Sequence, residues 1–127
     1  MLEHQHLIVR ATVLDPITSV EVINKWLIDL VDKIDMKILM GPFSTYCETE
    51  GNEGITATCI IETSHIAIHI WDRDLPPLIQ LAVYSCAPVD LDVVFAHLGV
   101  MKPQNLSYQF LDRNHNVKFV KGEDLSF

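Results

Sequence analysis

Long apolar runs are missing from this sequence. No stretch approaches the roughly 20 residues that a membrane-spanning helix needs, and the N-terminus, MLEHQHLIVR, opens with a charge of the wrong sign and no extended apolar segment, so it does not read as a signal peptide. Both absences point to the cytoplasm and away from a membrane. Positive charge is scarce too. Nine Lys and Arg stand against 17 Asp and Glu, a formal net charge of −8. A surface built to hold phosphates needs the opposite balance, so nucleic acid is not an expected partner. An acidic surface steers cationic small molecules such as an amine or a sulfonium towards itself; equally, acidity can serve solubility alone. Cysteine is sparse and odd in number: Cys47, Cys59 and Cys86, with no C-x-x-C pair. That excludes a disulfide framework and a structural zinc site of the usual spacing. There is no G-x-S-x-G elbow for a serine hydrolase, and no internal repeat, low-complexity segment or linker.

What is present suits one domain spanning residues 1–127. Nearly half of the residues are hydrophobic, enough for a core without staples. Residues 6–14 read as a strand. In the segment that follows, Val20, Ile23, Leu27, Leu30, Val31 and Ile34 recur at helical spacing, and Thr18 with Glu21 fits a capping box. Residues 36–46 predict a strand interrupted by Gly41-Pro42, and CETEGNEG a polar turn. GITATCIIE and SHIAIHIW predict strands, the second continuing the first or pairing with it. LIQLAVYSC predicts another. DLDVVFAHLG predicts a short helix capped by Asp90 and stopped by Gly99. NLSYQFLD and NVKFV predict a closing hairpin through RNH. The order is β-α-β-β-β-α-β-β, give or take a merged strand. The fold class it implies is α+β: a two-layer sandwich, a mostly antiparallel sheet covered on one face by two helices. The other face is left wanting a partner, which makes a dimer the expectation.

Residues 62–71, ETSHIAIHIW, concentrate a hydroxyl and two imidazoles in a strand without a glycine. His65 and His69 lie four apart, about 13 Å along a strand, too far to share one ion. His4 and His6 share a strand face near the terminus. No metal site is expected. Alternation places Ser64 and His69 on opposite faces, which disfavours an ordinary triad. Taken singly, each residue has a bland reading: Cys47 and Cys59 as buried inert thiols, His97 as a helix-end histidine, His115 as a turn residue, and His65 as either a core histidine or a substrate contact.

The joint pattern is more specific. GITATCIIETSHIAIHIWD followed by LAVYSCAPVD resembles the S-adenosylmethionine decarboxylases of the small prokaryotic, pyruvoyl-dependent type. The resemblance spans most of the chain by element order and is specific from about Gly54 to Asp90. It implies that Ser64 attacks the preceding carbonyl, that the resulting ester eliminates, and that the dehydroalanine hydrolyses to a pyruvoyl group. The chain would be cut between Thr63 and Ser64 into residues 1–63 and 64–127. The keto group would then form a Schiff base with a substrate amine and act as an electron sink. By position, His69 matches the residue of the processing proton transfers, Cys86 the proton donor to the substrate carbon, and Thr56 a hydroxyl that assists processing. A bulge before Ser64 could turn it towards His69.

Two departures stand out. The family usually carries Glu immediately before the cleaved serine; here that residue is Thr63, with Glu62 one place earlier. The segment between His69 and Cys86 is about two residues longer than usual. The resemblance implies a cationic amino-acid substrate, S-adenosylmethionine, feeding polyamine synthesis, and a homodimer with active sites near its interface. Arginine or ornithine as substrate, and an uncleaved homologue that binds or regulates, are the alternatives. Phe43, Tyr46 and Trp71 could stack an adenine or simply pack the core.

Overall fold

A computed structural model describes residues 3–62 and 64–127 of the chain. The elements run β1 (Gln5–Val13), α1 (Val20–Lys33), β2 (Ile38–Cys47), β3 (Gly54–Ile61), β4 (Ser64–Trp71), β5 (Leu78–Ser85), α2 (Leu91–Leu98), a single 3-10 turn (Gly99–Met101), β6 (Pro103–Asp112) and β7 (Lys118–Ser126). All seven strands form one antiparallel sheet in the order β2-β3-β4-β5-β1-β6-β7. GITATCIIE and SHIAIHIW therefore pair as neighbours; they are not one continuous strand.

Strict alternation divides the sheet into two faces. Leu7, Val9, Ala11 and Val13 of β1, Ile55, Ala57, Cys59 and Ile61 of β3, Ile66, Ile68 and Ile70 of β4, and Ile79, Leu81 and Val83 of β5 all point to one side and are buried. The apolar stripe of α1 closes over them through Ile23, Trp26, Leu27, Leu30 and Val31, and α2 adds Leu91, Val94 and Leu98. The expected α+β sandwich, with two helices on one face, is the architecture found.

Details of the ends differ from the sequence reading. The α1 cap is Ser19, whose hydroxyl accepts from the Val22 N–H at 3.3 Å and donates to Glu21 at 3.0 Å; Thr18 lies one residue too early for either. Asp90 does cap α2, accepting from the Asp92 N–H at 3.0 Å. Gly99 is the C-cap of α2, as expected, but with a right-handed φ of −58°; the single 3-10 turn follows, and it is Lys102 that takes the left-handed φ of 54°. The final hairpin is longer than predicted, because β7 runs to Ser126. Gly41-Pro42 does not end β2. The ladder to β3 shifts register between Met40 and Phe43 and then resumes.

The uncovered face is also ordered by register. One row across the strands is Ile60, His65, Tyr84, His6 and Leu111; a second is Phe43, Thr58, Ala67, Ala82, Ile8 and Gln109; a third is Thr45, Thr56, His69, Gln80, Arg10 and Ser107. A band of small and apolar residues thus separates two polar rows.

Candidate active site

Ser64 is the first residue of β4 and belongs to the helix-covered side, only 6% exposed. Its hydroxyl donates to the Glu62 carbonyl at 3.2 Å and accepts from the Cys86 N–H at 3.0 Å. The Cys86 thiol donates to the same Glu62 carbonyl at 3.2 Å. Hydroxyl, thiol and one shared acceptor therefore meet where β4 begins and β5 ends. Residue 63, half of the expected scissile bond, lies outside the described residues.

Ser85 holds this corner. It is fully buried; its hydroxyl donates to the Ala87 carbonyl at 2.6 Å, while the Ala87 N–H lies 3.0 Å from that oxygen. The hydroxyl folds the chain back just after β5, which aims the Cys86 N–H at Ser64. The sequence reading named Cys86 and passed over Ser85, a common strand residue whose role exists only in the folded turn.

His69 and Thr56 are a cross-strand pair, with the Thr56 hydroxyl 3.0 Å from His69 Nδ1. They stand on the open face. From Ser64 onward the ladders of β4 to β3 and β5 run without a register shift. Five residues of strand, roughly 16 Å, and the thickness of the sheet separate them within one chain. The opposite-face expectation is what the fold contains; the bulge expected before Ser64 falls at residue 63, outside the described residues.

Ser64 also opens into a cavity of about 470 Å³ lined by Leu39, Ile60, Ser64, His65, Tyr84 and Arg113. His65 is exposed and stacks on Tyr84, with ring centroids 5.6 Å apart and planes 11° from parallel; it is not a core histidine. His6 meets the same ring edge-on at 5.7 Å, and His4 Nδ1 lies 3.0 Å from the Tyr84 hydroxyl. Burial, with Arg113 and His65 nearby, keeps the His6 imidazole below its ordinary pKa. The sequence reading missed Tyr84 and Arg113. The signal was slight: an aromatic on β5 and a cation just past the end of β6, 29 positions apart, brought together only by folding.

Away from this corner, Cys59 is fully buried and desolvation pushes its thiol up to about 11, so it is inert at neutral pH. Cys47 differs from its expected character: it is half-buried, and hydrogen bonding from Thr49 draws its pKa down. Phe43 is 55% exposed, Trp71 stacks on His69 and donates to Asn52 at 2.9 Å, and Tyr46 donates to Asp72 at 2.9 Å. Of the three, Tyr46 also packs against the hydrophobic core. Among the described residues no group of three or more His, Cys, Asp or Glu is placed to hold a metal ion, and no helix is long and apolar enough to cross a membrane.

No curated protein matches this chain. The family model of S-adenosylmethionine decarboxylase matches residues 5–114, which takes in both helices, β1 to β6 and the whole Ser64 corner and leaves β7 outside. A match over that much of the chain, on a sheet-and-two-helix fold with Ser64 and Cys86 hydrogen-bonded to one carbonyl, places the chain in the S-adenosylmethionine decarboxylase family.

Proposed function

We propose that this chain is a self-processing, pyruvoyl-dependent decarboxylase of S-adenosylmethionine, of the small prokaryotic type, supplying an aminopropyl donor for cytoplasmic polyamine synthesis. The observation that carries the reading is the corner itself: Ser64 Oγ, fixed between the Cys86 N–H and the Glu62 carbonyl. Attack of that oxygen on the carbonyl of residue 63 would exchange the amide for an ester. Elimination would release residues 1–63 with a new carboxylate, and addition of water to the dehydroalanine would expel ammonia. The pyruvoyl group left on residue 64 supplies the electron sink for loss of carbon dioxide. Cys86, already within hydrogen-bond reach of the Glu62 carbonyl beside Ser64, is then positioned to deliver a proton to the substrate carbon.

His69 and Thr56 enter through a second copy. We propose a homodimer in which the open faces meet, so that one copy's His69–Thr56 pair reaches the other copy's Ser64. Support comes from the band of Phe43, Ala67, Ala82 and Ile8 on that face, with Phe43 55% and Ile8 44% exposed. Its small centre suits close approach of two sheets.

S-adenosylmethionine is preferred over arginine or ornithine because the family model that matches the chain is that of S-adenosylmethionine decarboxylase. Intact mass of the freshly purified, denatured protein tests the central claim. Two fragments broken before residue 64, the downstream one carrying a pyruvoyl group in place of serine, are expected. A single full-length mass after long incubation would overturn it and leave a non-catalytic binder. Carbon dioxide release from each candidate amino acid then settles the substrate.

A further inference from the structure

The Ser64 cavity carries positive charge in a chain whose formal net charge is −8. Its cation is unusually well placed. The Arg113 N–H donates to the His4 carbonyl at 2.8 Å, which ties the end of β6 to the start of β1. The His4 N–H in turn donates to the Asn114 side chain at 2.7 Å. The guanidinium lies 4.6 Å above the Tyr84 ring and its Nη1 lies 3.3 Å from His6 Nδ1. Since Arg is always protonated, it donates and His6 Nδ1 accepts, which puts the His6 proton on Nε2. Tyr84 itself is flanked by His65 and His6 across three neighbouring strands.

Arg113 thus has its backbone anchored, one face against an aromatic ring and one nitrogen on an imidazole. Among the described residues it forms no ion pair with a carboxylate. A guanidinium held this way keeps further N–H groups for a planar two-oxygen acceptor. Such an acceptor would lie in the same cavity as Ser64.

We propose that Arg113, seated on Tyr84, is the receptor for the substrate's carboxylate and so selects amino acids over simple amines at the Ser64 site. The assignment rests on the decarboxylase reading above. It also has a kinetic signature. The contact is made to a carboxylate that stays in place until carbon dioxide has departed, so it contributes about equally to ground-state and transition-state binding. Removing it should weaken substrate binding without slowing the chemical step. The product, lacking the carboxylate, loses the contact and is let go.

The test compares the purified enzyme with Arg113→Gln and Arg113→Lys. Arg113 is exposed, so both variants should fold and show unchanged cleavage by intact mass. For Arg113→Gln, KM for S-adenosylmethionine should rise about tenfold or more while kcat stays within about twofold. Inhibition by S-adenosylmethionine methyl ester, which masks the carboxylate, should change less than about twofold. Arg113→Lys should fall between, since the charge stays but the fork is lost. A drop in kcat at constant KM, or equal losses for acid and ester, would overturn the assignment. If no candidate amino acid yields carbon dioxide, the decarboxylase reading fails separately. Arg113 is then judged by glycine titration, following the His6 and His65 imidazole resonances by NMR. Shifts in the parent protein that vanish in Arg113→Gln uphold the carboxylate site, and no shift in the parent rejects it.

Discussion

At the scale of single residues, the proposed reaction divides its chemistry between Ser64 and Cys86. Ser64 would supply the atoms of the cofactor, and Cys86 is tied to it by a backbone N–H, so the two functions should separate on substitution. Cys86→Ala keeps that N–H and should still cleave, while carbon dioxide release falls about a hundredfold or more because a positioned proton donor is gone; gel mobility and a carbon dioxide assay read the two outcomes independently. Loss of both together would make Cys86 part of processing. These two residues were legible in the sequence because their spacing sits inside a recognisable run. Ser85, Tyr84 and Arg113 were not. Each belongs to a common residue type, and each acquires its role from a partner on another strand or from a turn that exists only after folding.

At the scale of elements, periodicity was the reliable signal and ends were the weak one. The 3.6-residue stripe of α1 and the alternation of β1, β3, β4 and β5 located the core, because burial of one face leaves no freedom in phase. Caps depend on which of several adjacent hydroxyls reaches the first free N–H. PITS, residues 16–19, holds two adjacent hydroxyls before helix α1, and Ser19 is the one that does. Ser19→Ala should cost about 1 kcal/mol by urea denaturation, and Thr18→Ala far less.

The contact between α1 and α2 carries a pH dependence of its own. The Trp26 indole donates to the His97 carbonyl at 3.1 Å, and His97 Nε2 lies 2.8 Å from the Trp26 carbonyl, so the imidazole donates there. Its Nδ1 is left to accept from Lys33 at 3.2 Å. Burial, joined by Lys33, lowers the His97 pKa, while the Trp26 carbonyl and Asp29 oppose the shift. The folded state therefore resists a proton that the unfolded chain accepts freely. Stability should be at its full value above the ordinary histidine pKa of about 6.5 and decline as pH falls through it, until the folded form titrates too. His97→Gln should flatten that part of a plot of melting temperature against pH; an unchanged slope would place the effect elsewhere, with His6 the next candidate.

At the scale of the whole molecule, the open face divides what one chain cannot join. If the processing pair acts across a dimer, two inactive copies should repair each other. Ser64→Ala and His69→Ala proteins, each uncleaved alone, would be mixed, unfolded and refolded together. The His69→Ala chain keeps its serine and borrows an imidazole, so it alone should be cut, in up to about half of the molecules when the copies pair at random. No cleavage in the mixture would place His69 in the same chain as its target. The strand order carries a further consequence. A cut at the β3–β4 corner assigns β1, β2 and β3 to one fragment and β4 to β7 to the other, yet β1 lies between β5 and β6. The two fragments are interleaved like fingers of clasped hands, sharing three hydrogen-bonded seams: β3 with β4, β5 with β1, and β1 with β6. Maturation would sever the backbone at its reactive corner and leave the sheet mechanically whole. The halves would travel as one particle through every native separation and come apart only when the sheet itself is dissolved.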